Sequence, residues 1–232
     1  MKTITLTTDF GNDDPFDGVM KGVILNICPD AQIVDLTHNI APQDIYQANF
    51  LLSECYQYFP KGTIHICVVD PGVGSQRKPV LIETKNCFFI GPDNGLFTSI
   101  LEKEEIKNVI ELTEKKYWLE KVSQTFHGRD IFAPVAAHLA NHTVETSQCD
   151  VSVFGKRTNE RDLIKLKLNK AIKTENGFNG IIQYIDHFGN LISNIPNDSV
   201  NGKISGTIKN HNFGGLVQSF ADADKNTLTA IK

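Results

Sequence analysis

Before Asp70 the chain alternates three short β-branched, apolar runs with two stretches of helical spacing, and this alternation limits the fold more than any other feature. Ile4 to Thr8 reads as a strand, stopped by the loop Asp9-Phe10-Gly11-Asn12-Asp13-Asp14-Pro15. Phe16, Met20, Val23, Ile24 and Ile27 then recur at helical spacing as far as Cys28-Pro29. Ala31 to Thr37 is a second strand, a helix is expected from about Gln43 to Tyr58, and Thr63 to Val69 is a third strand. Strands separated by helices pair in parallel through crossovers, so an α/β layer domain of Rossmann-like type is expected.

Val80 to Glu83 and Cys87 to Ile90 read as a hairpin or two short strands, and Asn94-Gly95-Leu96 opens a short helix. The apolar run from Trp118 to Phe126 reads as a strand, and Phe132 to Ala140 as a helix that tolerates Pro134 only in its first turn. Beyond about residue 156 the texture changes. Leu163–Leu168, Gly177–Ile185, Leu191–Ile195 and Gly206–Ile208 are strand-like runs punctuated by Gly and Asn. Two domains are therefore expected: α/β over 1–156 and a smaller all-β, barrel-like domain over 157–232. The final Thr227-Leu228-Thr229-Ala230-Ile231-Lys232 reads as the middle of a strand, an exposed edge that points to sequence continuing past Lys232.

Composition narrows the function. A net charge of −4 and the lack of any basic run argue against nucleic acid and anionic membranes as partners. No stretch approaches the ~20 apolar residues of a membrane span, and the N-terminus lacks a signal-peptide core. The five cysteines (28, 55, 67, 87 and 149) have neither disulfide-framework nor zinc-site spacing, and read as buried thiols of a cytoplasmic protein.

Chemistry concentrates where strands end. Val69-Asp70-Pro71-Gly72-Val73-Gly74-Ser75-Gln76-Arg77 and Thr125-Phe126-His127-Gly128-Arg129-Asp130 bring a carboxylate, an imidazole and guanidinium groups to loops of the kind that form ligand sites at the carboxyl ends of strands. Asp70, Arg77 and His127 together can hold and deprotonate a water molecule. A structural ion pair between Asp70 and Arg77 fits the spacing equally well, and Asp130 suits a helix cap. Asp9 can accept from a ribose diol or cap a helix. The acids Asp9, Asp13 and Asp14 can also hold Mg²⁺, although no phosphate cradle adjoins them. Asp186-His187-Phe188-Gly189-Asn190 offers Phe188 to stack on a base and Asn190 to hydrogen-bond it, or is simply a hairpin turn.

Six segments, Thr8–Gly11, Met20–Gly22, Val69–Arg77, Pro92–Leu96, Thr125–Ala140 and Asp186–Ile195, resemble in order the S-adenosylmethionine hydroxide adenosyltransferases, relatives of the fluorinase and chlorinase. The resemblance implies hydrolysis of S-adenosylmethionine to adenosine and methionine, with no cofactor or metal, in a β-barrel-tailed homotrimer whose sites lie between subunits. It implies Asp9 as the ribose ligand, and Asp70, Arg77 and His127 as the water-binding triad. Phe188 and Asn190 would contact the adenosyl group, and Asp186 the methionine ammonium. Halogenases of this type place Tyr at the position of Asp70, and the fluorinase places Ser at that of Gly128. A carboxylate there repels halide and accepts a proton from water, so the sequence sides with hydrolysis. The rival readings are an S-adenosylmethionine or adenosine sensor without catalysis and a Mg²⁺-dependent phosphohydrolase.

Overall fold

The computed structural model describes residues 3–145, 150–200, 202, 204–223 and 227–231, with side chains from 142 to 145 left aside. Its centre is a seven-stranded sheet of order β2-β1-β3-β5-β4-β6-β7. The strands are β1 (Thr3–Thr8), β2 (Gln32–Thr37), β3 (Ile64–Val68), β4 (Pro79–Thr84), β5 (Phe88–Pro92), β6 (Ile106–Leu112) and β7 (Gly155–Thr158). β2, β1, β3 and β5 run parallel, whereas β4, β6 and β7 pair antiparallel.

The first half matches the expected alternation. The first helix, α1 (Phe16–Ile27), has the expected bounds, and α2 (Ile45–Cys55) continues as a short 3-10 turn to Tyr58. Alternate strand residues face opposite layers. Ile4, Leu6, Ile64, Ile66 and Val68 pack in one core with Met20 and Ile24 of α1 and with Phe132, Val135 and Leu139. Cys67, Val69 and Phe89 pack in a second core with Ala48 and Leu52 of α2 and with Ile100 of α3 (Thr98–Lys103). Each fully buried Ile or Leu contributes about 1.5–3 kcal/mol.

Two expectations are corrected. Trp118–Phe126 is not a strand. Its backbone is held by short-range bonds instead: Leu119 N–H donates to the Asp130 carbonyl at 2.9 Å and Phe126 N–H to Ser123 Oγ at 3.0 Å. Leu163–Leu168 alternates but forms no strand, because Ile164 N–H donates to Asp93 Oδ1 (2.9 Å) and Leu166 N–H to Thr98 Oγ1 (2.8 Å). The sheet also contains β6, a strand beyond those expected from the sequence.

The chain divides into two compact units, Met1–Lys167 and Leu168–Lys232. Pairing of β7 with β6 carries the large sheet past residue 156, so the segment up to Lys167 lies in the first unit. The second unit contains β8 (Ile172–Thr174), β9 (Gly177–Asn179), β10 (Ile182–Ile185), β11 (Leu191–Ser193), β12 (Ser205–Ile208), β13 (His211–Gly214), β14 (Leu216–Val217) and β15 (Ala230–Ile231). Among the described residues they form four two-stranded sheets. None of its described residues is buried.

Candidate active site

β1 crosses through α1 to β2 on one side and β3 lies on its other side, so the chain changes direction at β1 and β3. Ligands of open α/β sheets bind in the crevice beyond the strand ends at such a switch point. Thr8 and Val68 are register partners there, which sets Asp9 and Asp70 just past the ends of adjacent strands.

Past Asp70 the chain makes two tight turns, Val73 N–H to the Asp70 carbonyl (3.2 Å) and Ser75 N–H to the Gly72 carbonyl (3.1 Å). Gly74 has φ +77°, and a Cβ there would lie 2.4 Å from the Gln124 carbonyl oxygen. Only glycine permits both that backbone and that approach. Ser75 Oγ then accepts from Arg77 N–H (3.2 Å), which returns the chain toward Asp70.

Arg77 Nε lies 3.0 and 2.9 Å from the two Asp70 carboxylate oxygens, and Arg77 Nη2 also donates to Asp70 Oδ2. The same Nη2 sits 2.7 Å from His127 Nδ1. The Asp70 and Arg77 side chains are 5% and 7% exposed, so solvent screens this pair little. The guanidinium lies 5.4 Å from the Phe132 ring centroid. Arginine has no acceptor, so Nδ1 of His127 must present a lone pair, and the network assigns a neutral imidazole with its proton on Nε2. Burial and the Arg77 charge push His127 below its ordinary pKa, opposed by the Asp70 and Asp130 carboxylates and by a hydrogen bond with the Ser123 backbone.

His127 precedes a π-helical turn, Gly128–Phe132, which leads into α4 (Ala133–Glu145) and places Pro134 near its start. Such turns are frequent at functional sites. Asp130 does not cap this helix. Fully buried, it accepts from Ser123 N–H (2.7 Å), Ser123 Oγ (2.8 Å) and Arg129 Nε (2.6 Å), and so clamps the loop that carries His127.

Asp9 caps no helix either: Oδ2 accepts from the N–H of Gln43, a residue at φ +65°. Asp9, Asp13 and Asp14 do not converge. The carboxylate-imidazole cluster found among the described residues is Asp17, Asp35 and His38. The sequence marks neither this cluster nor Ser123, and marks Asp130 only as a helix cap, because their partners are distant or lack motif spacing.

In the second unit, Asp186, Phe188 and Asn190 form the turn between β10 and β11. Asp186 Oδ1 accepts from the N–H groups of Phe188 (2.9 Å) and Asn190 (2.8 Å), and Oδ2 accepts from Asn190 Nδ2 (2.6 Å). The Asn190 side chain holds the Asp186 carboxyl below its ordinary pKa. The hairpin-turn reading therefore describes the loop's construction, while Phe188 projects 87% exposed.

The family description SAM hydroxide adenosyltransferase N-terminal domain matches residues 4–149, and its C-terminal domain matches residues 180–232. An (R)-S-adenosyl-L-methionine hydrolase of Methanocaldococcus jannaschii is 41% identical over 211 residues, covering 88% of this chain and 71% of that protein. One from Salinispora tropica is 33% identical over 189 residues, covering 81% and 70%. A fluorinase from an Actinoplanes species is 25% identical over 217 residues, covering 83% and 71%. The solved structure of an uncharacterized conserved protein from Thermotoga maritima matches with a TM-score of 0.90 at 32% identity, over 98% of this chain and 88% of that one. With both family domains matched in order, over most of its length, this chain belongs to the SAM hydroxide adenosyltransferase family.

Proposed function

We propose that this protein hydrolyses S-adenosylmethionine to adenosine and methionine. The observation that carries this reading is the convergence of Asp70, Arg77 and His127 in a nearly buried cluster at the switch point. The family and the hydrolase relatives support the same reaction.

The sulfonium leaves without acid or metal assistance, because breaking the C5′–S bond returns the electron pair to sulfur and neutralises its charge. The protein must orient a water in line with that bond, which is worth several kcal/mol. As the O–C5′ bond forms, the water's protons become acidic and a carboxylate suffices to take one. Asp70 is that acceptor. One nitrogen of His127 is held by Arg77, and the imidazole also bonds the Ser123 backbone, so it serves to orient Arg77. Arg77 stabilises the negative charge that develops on the attacking oxygen. A fixed carboxylate also repels halide, which favours water over chloride or fluoride. S-adenosylmethionine is the substrate, and the scheme calls on no cofactor.

Asp9 holds the ribose hydroxyls, Phe188 and Asn190 contact the adenosyl group, and Asp186 attracts the methionine ammonium. The first unit is Rossmann-like in this reading, the second closes as a β-barrel, and three chains assemble with sites between subunits. Four free cysteines fit a reducing, cytoplasmic setting, and Cys149 lies outside the described residues. No described helix is long and apolar enough to cross a membrane.

Incubation with S-adenosylmethionine in metal-free, chloride-containing buffer tests the reading by liquid chromatography. Adenosine plus methionine is expected. A 5′-chlorinated nucleoside would overturn the choice of nucleophile, and saturable binding without turnover would point to a sensor.

A further inference from the structure

β1 carries two Thr–His pairs of the same chemistry. Thr5 Oγ1 lies 2.8 Å from His65 Nδ1, and Thr8 Oγ1 lies 2.8 Å from His38 Nδ1. All four residues are buried. Their surroundings differ. His65 sits among Tyr56, Phe59 and Phe89. His38 Nε2 instead faces charge, 3.1 Å from Asp35 Oδ1 and 3.6 Å from Asp17 Oδ2.

Lys21 Nζ joins those two carboxylates at 2.6 and 2.8 Å. Asp17, Asp35 and His38 have spacing that a divalent ion can use, but Lys21 already supplies the positive charge between the carboxylates. The cluster is an ion-pair network anchored on α1.

Its other end grips the residues around Asp9. Thr8 Oγ1 accepts from Phe10 N–H at 3.2 Å while sharing a hydrogen bond with His38 Nδ1, so one hydroxyl joins the backbone beyond Asp9 to the buried imidazole. The His38 carbonyl accepts from Gly11 N–H at 2.8 Å, and Ile40 N–H donates to the Thr8 carbonyl at 3.4 Å. Asp9 is thus bracketed on both sides by bonds to one buried histidine and its neighbours. We infer that Thr8 and His38, backed by Asp35, Asp17 and Lys21, are positioning residues that hold the Asp9 carboxylate at the angle a ribose diol requires. The inference rests on the proposed ribose role of Asp9.

The duplicated pair supplies a matched control. Thr5→Val and Thr8→Val each remove one hydroxyl and its hydrogen bond to a buried imidazole Nδ1, but only Thr8 adjoins Asp9. Calorimetric titration of adenosine and 2′-deoxyadenosine into the full chain and its variants separates the roles. Thr8→Val should weaken adenosine about tenfold and 2′-deoxyadenosine by less than about twofold, as expected when one hydrogen bond is misaligned. Thr5→Val should lower Tm comparably and leave adenosine affinity within about twofold. In an Asp9→Ala background, Thr8→Val should weaken adenosine no further, the mark of two residues acting through one contact.

Additive losses in the double variant, equal losses for the two nucleosides, or an equal effect of Thr5→Val would overturn the positioning role. Unchanged adenosine binding by Asp9→Ala would overturn the ribose reading, and with it this inference, so the two failures appear in different proteins. If Thr8→Val does not fold, His38→Gln is titrated in the same way, with the same outcomes deciding.

Discussion

Phe10 and Phe126 meet edge to face with ring centroids 5.7 Å apart, which ties the residue after Asp9 to the residue before His127. Phe16 completes the cluster at 5.7 Å from Phe10 and 5.4 Å from Phe126. Two loops far apart in sequence therefore share one apolar support, and displacing either alters both halves of the first unit's site.

Replacing Asp70 by Asn keeps the shape and removes the proposed proton acceptor. Turnover should fall by about 10²–10⁴, the usual worth of general-base catalysis, with S-adenosylmethionine affinity changed less than about threefold. His127→Gln should cost less. Single-turnover kinetics alongside calorimetric titration checks both, and equal losses of turnover and affinity would refute the assignment.

The depressed pKa of His127 predicts the acid side of the activity profile. The neutral imidazole that accepts from Arg77 persists below the ordinary histidine value of about 6.5. kcat/KM should therefore hold steady as pH falls through about 6.5 and decline only at lower pH. A decline centred at or above that value would contradict the neutral assignment.

Burial pushes His65 down to about 3. Between that value and about 6.5 the unfolded chain binds a proton that the folded chain refuses, so stability falls as pH drops through this window. The slope approaches about 1.4 kcal/mol per pH unit for this one group, and His127 adds to it in the same direction. Urea unfolding at several pH values should show a shallower slope in His65→Gln, whatever that variant's stability at neutral pH.

Gly74→Ala would force a side chain into φ +77° and within 2.4 Å of the Gln124 carbonyl. A loss of about 1–3 kcal/mol is expected in denaturant unfolding, with a larger proportional loss of activity as the Asp70–Arg77 loop shifts. Full activity would show that the loop has a freer path than its two turns suggest.

Phe188 is 87% exposed, so Phe188→Ala should leave Tm unchanged. If it stacks on adenine, affinity for adenosine should fall by the ~1–3 kcal/mol typical of base–aromatic stacking. Fluorescence or calorimetric titration distinguishes this from a solvent-facing turn residue, for which nothing changes.

Local information was readable where it decided the structure. Phe16, Met20, Val23, Ile24 and Ile27 marked α1, and Asp70, Arg77 and His127 stood out because each sits in a Gly-containing loop after apolar sequence. Elsewhere distant partners overrode the pattern. Leu163–Leu168 alternates like a strand, yet its N–H groups go to Asp93 and Thr98. Asp130 looked like a cap because its true partner, Ser123, lies upstream in a loop with no signature. His38 offered no ligand-like spacing, and its role depends on Thr8 in β1 and on carboxylates from α1 and β2. By contrast, the apolar, β-branched run Ile106-Lys107-Asn108-Val109-Ile110-Glu111-Leu112 carries the strand signal of β6 in its own residues.

The second unit has strands, turns and exposed apolar side chains such as Ile172, Ile185, Phe188 and Phe220, yet no described buried residue. Hydrophobic burial among its described residues is therefore small beside the entropy of ordering a backbone. In the proposed trimer, contact between chains would cover those side chains, and dilution should then lower the temperature at which this unit melts.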